Sequence, residues 1–353
     1  MPVAGLVRLR RHYFGRETTF GTKVPAKRAY PFKGTPSVNL NWTDPDVDAG
    51  SIDPTAAPIR TASDVTAPLT DNGLEYNTVP LLLSGFFGAS VDGTGTDAIT
   101  YVYEPASTTV DDLDAFTYEF GDDVTDDWFQ LGDGFLESFE ITAPEGLGAL
   151  TTSMSWRFGS ASSTGSTDSP VTGTVPTPGL TLDTEGVKVY LKDMGIAIAS
   201  SVAGLTTGAI TDALHSFTMR FAGDIDQKRW ANGDQSFDVD QFVRATRSIE
   251  LEATFSKTDD IVGTGSEADA WFSDSAVTRF VQLTFESLEL ADTGPDVPYS
   301  WVMTFPMRYY TRAEGESGGN STVVLTGHAF FEPDDLEAVF TSTVICTLPA
   351  ADL

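Results

Sequence analysis

From residue 99 onward, large apolar side chains recur at even spacing. Ile99, Tyr101 and Tyr103 keep that period, as do Phe116, Tyr118 and Phe120, then Phe135, Phe139 and Ile141, then Met154, Trp156 and Phe158. Successive side chains of an extended chain point to opposite sides, so this spacing predicts strands with one face buried. Turns rich in glycine and aspartate separate the runs. A second set of strands is predicted at Val187–Leu191, Phe217–Phe221, Ile249–Phe255, Gln282–Phe285, Trp301–Tyr309, Thr322–Phe330 and Val339–Thr347, and an early one at Val38–Trp42. The expected fold class is mainly β.

Two segments depart from alternation. Asp71-Asn72-Gly73 opens a short helix predicted over Leu74–Phe87, apolar at Leu74, Val79, Leu82, Leu83, Phe86 and Phe87 and stopped by Gly88; Pro80 leaves its start open. A second helix, laid across a sheet, is predicted around Glu267–Phe280, with Ala268, Ala270, Trp271, Ala276, Val277 and Phe280 as its apolar face. Pro45, Pro54, Pro58 and Pro68 argue against a long helix or a central strand in that stretch. The organisation expected is a basic N-terminal arm over 1–37, a first β-rich part over 38–160, a flexible linker rich in Ser, Thr, Gly and Pro over 161–180, and a second β-rich part over 181–353. LDAFTYEF at 113–120 and LHSFTMRF at 214–221 agree at four of eight positions, a weak sign of internal duplication.

Charge is distributed unevenly. Arg8, Arg10, Arg11, Arg16, Lys23, Lys27, Arg28 and Lys33 face one acid, Glu17, in the first 33 residues. From Gly34 to Trp156 the only base is Arg60, among acids that include Asp111, Asp112, Asp122, Asp123, Asp126, Asp127 and Asp133. The whole chain of 353 residues has a formal charge of −30. Such a surface repels nucleic acid, whose binding depends on cations displacing counterions. With 41% hydrophobic residues the chain can still build a core. Tyr13, Phe14, Phe20, Tyr30 and Phe32 are many aromatics for a frayed terminus, so a basic arm packed on a neighbouring subunit stands beside that simpler expectation. MPVAGLVRLRRHYF has charges where a secretion signal needs an apolar run, and the apolar stretch Val79–Ala89 is too short and too broken to span a bilayer; a soluble protein is expected. Cys346 is the only cysteine, which excludes an intrachain disulfide and fits folding in a reducing cytoplasm.

Little in the sequence points to catalysis or to a bound cofactor. His12, His215 and His328 lie far apart and in no metal-binding spacing. No phosphate-binding glycine loop is present. Gly315-Glu316-Ser317-Gly318-Gly319 matches the serine-hydrolase G-x-S-x-G string, but a strand-like STVVLTGHAFF follows it where a helix is required, so a hairpin loop is expected. The acidic loop at 44–50 resembles a calcium loop, yet its glycine is one place late and Thr55 falls where the bidentate carboxylate belongs; a solvated loop is expected, with calcium left open. The acid run over 111–133 is expected to be a solvated or lumen-facing surface. Trp42, Trp128, Trp156, Trp230, Trp271 and Trp301 are candidate sugar platforms or core residues. No catalytic, cofactor or metal residue is assigned.

Several stretches resemble a known family. Arg16–Pro25 (RETTFGTKVP), the early helix GLEYNTVPLLLSGFFG, the segment 116–160 from FTYEFGDDVTDDWFQ to TTSMSWRFGS, and the closing strands from YSWVMTFPMRYY onward are similar in order and texture to the major tail (tail tube) proteins of long-tailed, non-contractile bacteriophages, particularly those of actinobacterial hosts. The resemblance implies a β-sandwich or partial barrel with one or two short flanking helices, and a homo-oligomer of six subunits whose inner strands close a β-barrel ring. A duplicated chain would close the ring as a trimer. Rings would stack into a tube on a tape-measure protein, bounded by terminator and tail-tip proteins. Genomic DNA would pass through the lumen without specific binding. The implied place is the virion tail, assembled in the host cytoplasm, with no enzyme activity, cofactor or membrane. Two other functions compete: another virion β-structure, such as a capsid decoration or baseplate component, and a carbohydrate-binding β-sandwich.

Overall fold

Strands with one apolar face must bury that face, and here they do so in two antiparallel sheets packed on each other. The structure is a computed structural model that describes residues 10–26, 28–43, 59–88, 91–94, 97–105, 113–122, 127–146, 149–164, 191, 194–210, 213–228, 241–258, 261 and 278–349. The chain is mainly β, and its two sheets, continuous through one shared strand, do not close into a barrel. The first strands are β1 (Arg10–Arg16), β2 (Arg28–Tyr30), β3 (Lys33–Gly34), β4 (Ser37–Thr43) and β5 (Ile59–Asp71), followed by helix α1 (Val79–Phe87). Next come β6 (Val91–Thr94), β7 (Ile99–Tyr103), β8 (Phe116–Asp122), β9 (Asp127–Ala143), β10 (Thr151–Phe158) and β11 (Ser160–Thr164). The second half adds β12 (Met194–Ala199), β13 (Ala209–Ile210), β14 (Leu214–Lys228), β15 (Gln241–Ser256), β16 (Arg279–Asp292), β17 (Val297–Ser317), β18 (Asn320–Ala329) and β19 (Thr341–Cys346).

The smaller sheet runs β2–β1–β8–β9–β11. In the larger one, β3 and β4 line one edge of β5, and the order continues β5–β10–β9–β14–β15–β18–β17–β16–β12–β13. A branch of β19, β7 and β6 leaves β17 beside β18. β9 belongs to both sheets: residues 127–134 pair with β8, whereas 135–142 pair with β10. The corner between them is Gly132-Asp133-Gly134, where Asp133 takes a left-handed φ of 56°. A Cβ on Gly134 would lie 2.3 Å from Cε1 of Phe158, so only glycine lets that ring close over the corner.

Between the sheets, Phe14 of β1 packs on Tyr118 (4.7 Å between ring centroids) and on Trp156 (4.9 Å). The predicted helix begins later than Leu74. A 3-10 turn at Tyr76–Thr78 leads into α1, Pro80 sits in its first turn, and Gly88 ends it with φ 90°. α1 lies against the sheet on β9, and it is covered on every side. All nine of its residues are buried. Phe86 lies edge-on to Phe139 and Phe221, Phe87 stacks on Phe340, and the Tyr103 hydroxyl on β7 bonds Ser84 and the Pro80 carbonyl.

Three other expectations are corrected. The described residues 10–26 and 28–34 of the expected arm pack on their own chain rather than fraying: β1 pairs along its whole length with β8, and Tyr13, Phe14, Tyr30 and Phe32 are buried. β5 is an interior strand despite Pro68. The Pro68 carbonyl faces Gly34, and on that edge the ladder breaks at Thr35 and Pro36 between β3 and β4, so the missing N–H falls where no bond is formed. Residues 161–164 of the expected linker pair with β9 as strand β11. The rest of that linker, the acidic loop at 44–50, and most of the strand predicted at 187–191 and the helix predicted at 267–280 lie outside the described residues; at the end of that helix, Arg279 and Phe280 open β16 instead. The two similar octapeptides fall on β8 and β14, each of which pairs with β9.

Candidate functional site

Alternation sends one side of the larger sheet to the core and leaves the other polar. Glu140, Arg220, Glu250, His328 and Arg308 stand directly opposite one another across β9, β14, β15, β18 and β17, forming one transverse row. Their chain neighbours Phe139, Ile141, Met219, Phe221, Ile249 and Leu251 point into the core. Arg220 donates from Nε to Glu140 (2.7 Å) and from its terminal nitrogen to Glu250 (2.8 Å). A bulge between Tyr309 and Thr311 turns Tyr310 onto the same face. There its ring stacks on His328 at 4.5 Å and its hydroxyl donates to Glu250 (2.8 Å). Partial burial alone would raise the Glu250 carboxyl, but the hydrogen bonds from Tyr310 and Arg220 hold it below its ordinary range. Arg312 and Lys257 both reach Glu314, and Arg308 lies over the Phe330 ring. These cations are occupied by carboxylates or a ring, which leaves them poorly placed to bind phosphate. The pairs are exposed enough that each contributes little to stability, about 0–1 kcal/mol.

The acid run over 111–133 behaves differently from the expectation. Three acids of the run whose side chains are described, Asp114, Glu119 and Asp133, have partners within the chain. Asp114 pairs with Arg16 at 2.9 Å. Glu119 is fully buried and accepts from Gln130 at 2.9 Å. Asp133 accepts from the Gly21 amide (2.7 Å) and the Ser160 hydroxyl (3.1 Å), while Glu17 Oε1 accepts from the Thr117 hydroxyl (2.8 Å) and the Asp133 amide (3.0 Å). This cluster fastens the loop after β1 to the β9 corner. Burial pushes the Glu17 and Glu119 carboxyls up to about 7. The second oxygens of both lack a hydrogen-bond partner, which is why burial dominates. Asp111, Asp112, Asp123 and Asp126 lie outside the described residues.

The histidines occupy three unlike places. His12 is buried and shares a 2.7 Å hydrogen bond with the Tyr118 hydroxyl. His328 belongs to the polar row. His215 sits on a bulge of β14 between Leu214 and Ser216, which aims its ring between two partners. Nε2 lies 2.6 Å from Ser256 Oγ at the end of β15, and Nδ1 lies 3.0 Å from Glu145 Oε1 in the turn after β9. Glu145 Oε2 accepts from Ser317 Oγ at 2.7 Å. Nothing in the sequence marks this constellation, because its members come from four separate elements.

Ser317 is no nucleophile elbow: β17 turns through Gly318 (φ 56°) and Gly319 (φ 85°) into β18, the hairpin that the sequence predicts. Trp156 and Trp301 are fully buried and so offer no sugar platform; Trp230 and Trp271 lie outside the described residues. Among the described residues no three His, Cys, Asp or Glu side chains gather as a metal site, and no helix is long and apolar enough to cross a membrane. Cys346 is buried, and burial pushes its thiol up to about 12. The native protein is therefore expected to resist a maleimide and to react stoichiometrically in denaturing urea; fast labelling of the native protein at Cys346 would contradict this placement. No protein-family model matches the chain, and no curated protein matches it.

Proposed function

We propose that the chain is a structural subunit of a bacteriophage tail tube, assembling with copies of itself into rings that stack around a channel for genomic DNA. The observation that supports this most is the larger sheet, which is polar on one side and open at its ends. Among the described residues, β4 pairs only with β5, and residues 308–317 of β17 pair only with β18. Unpaired edges are templates for adding strands, and head-to-tail pairing around a ring removes them. The polar side would then face the lumen, with Glu140, Glu250 and Glu252 on it and Arg220 held by carboxylates. Repulsion from such a wall reaches about one Debye length, roughly 10 Å at moderate salt, enough for a channel little wider than a duplex. Six subunits close the ring in this proposal, or three if the chain is a duplication, with tape-measure, terminator and tail-tip proteins as further partners in the virion tail. The task is structural and requires no cofactor.

Negative-stain microscopy of the concentrated protein tests the proposal. Hollow filaments of uniform width are expected, alone or with the tail partners. Compact oligomers that bind capsids would favour a decoration protein instead. Monomers under every condition would defeat the tube.

A further inference from the structure

The serine, histidine and glutamate gathered at the end of β15 have the connectivity of an activated hydroxyl. Ser256 Oγ is 2.6 Å from His215 Nε2, and His215 Nδ1 is 3.0 Å from Glu145 Oε1. A nucleophile within hydrogen-bond reach of a base, itself oriented by a third group, defines such a relay on any fold. The carboxylate fixes the tautomer. Hydrogen bonds from Ser317 and His215 hold Glu145 below its ordinary range, so it is ionised and can only accept. Nδ1 therefore carries the proton, and Nε2 presents a lone pair to the Ser256 hydroxyl. The His215 side chain is 16% exposed and Ser256 is half-buried at the sheet surface, so a small acyl donor can approach.

We propose that Ser256 is a nucleophile that accepts an acyl group from activated esters, with His215 as its general base and Glu145 as the residue that positions the imidazole. In the step, the Ser256 proton moves to His215 Nε2 as Oγ bonds to the acyl carbon. The tetrahedral adduct then breaks its bond to the leaving alkoxide or phenoxide, and the proton on Nε2 passes to that oxygen or, when a stable phenolate leaves, to water. The products are an ester on Ser256 and the free alcohol. The surrounding backbone limits turnover. The amides of Ser256, Lys257 and Thr258 already donate to the carbonyls of Ala213, Ser321 and Ser256. None is available for an oxyanion, and one missing donor alone costs about 10²–10³ in rate. Ser256 is thus expected to be acylated once and to release the acyl group slowly. The proposal does not depend on the tail-tube function.

The test uses the full chain and p-nitrophenyl acetate. Expected are a burst of about one nitrophenolate per chain, a mass gain of one acetyl group, and a peptide map that places it on Ser256. Ser256→Ala should abolish the burst, His215→Gln should slow it by about 10²-fold or more, and Glu145→Gln should slow it less. Acetylation found on Lys257 or spread over the lysines, or a wild-type rate no faster than that of the Ser256→Ala variant, would overturn the proposal. If the alanine variant fails to fold by circular dichroism, the wild-type peptide map decides alone.

Discussion

Between about pH 5 and about pH 8, the wild-type protein is expected to lose on the order of 2–3 kcal/mol more stability than the Glu17→Gln variant. Glu17 and Glu119 have an ordinary carboxyl pKa of 4.5 when unfolded and are pushed up to about 7 in the fold, in each case first by burial. The folded state therefore holds these protons more tightly than the unfolded chain does. Their favourable contribution is complete below the unfolded value and is lost as pH rises through the folded one. Glutamine keeps an oxygen to accept from Thr117 and the Asp133 amide, but it cannot ionise, so its curve should be flatter over that window. Glu119→Gln should flatten it similarly, and the double variant should remove most of the slope. The remaining slope reports general self-repulsion in a chain of formal charge −30, which the variants share almost unchanged. Urea midpoints measured across the window decide the matter. Parallel curves for wild type and both variants would show that neither carboxyl is buried as described.

The strands were the most legible feature in the sequence, because burying one face imprints a period of two that survives any turn. Ile99–Tyr103 and Met154–Phe158 show it, and both are strands with alternating burial. Where a partner from far along the chain decides the outcome, the sequence is silent. Pro68 reads as a break, yet β5 continues because the ladder gap that accommodates it lies at Thr35 and Pro36. Ser84 and Gly85 lie off the apolar positions predicted for the helix, yet Tyr103 and Trp156 cover them. Four of the arm's five aromatics are buried in their own chain, whereas Phe20 is exposed, and the sequence does not separate the one from the others. The buried carboxylates are the hardest case. Glu17 meets Thr117 and Asp133 from 100 and 116 residues away, so no local spacing separates these acids from the solvated ones around them. His215 is hidden for the same reason, and a bulge rather than the regular pleat aims its ring.

The largest single loss of stability is expected at the point where both sheets and the helix meet. Trp156 is fully buried, with Phe14 at 4.9 Å, Phe116 edge-on at 5.6 Å and Phe158 at 6.3 Å between ring centroids. Replacing it by alanine removes its contacts with Phe14, Phe116 and Phe158 at once and leaves a cavity among them. Trp156→Ala should cost about 3–5 kcal/mol and lower the melting temperature by roughly 4–7 °C for a chain of this size. Gly85 provides a sharper check on the packing. A Cβ there would lie 2.6 Å from Cη2 of Trp156 and 3.2 Å from Cβ of Leu136. In the wild-type background Gly85→Ala should therefore destabilise by about 1–3 kcal/mol through overpacking. In the Trp156→Ala background the clash with the indole disappears, and the helix propensity of alanine, worth up to about 1 kcal/mol over glycine, acts with little opposition. The same substitution should then be neutral or stabilising, so that the pair is strongly non-additive. Simple addition of the two costs in a double-mutant cycle would mean that Gly85 does not face the indole, and that α1 is not enclosed against β10.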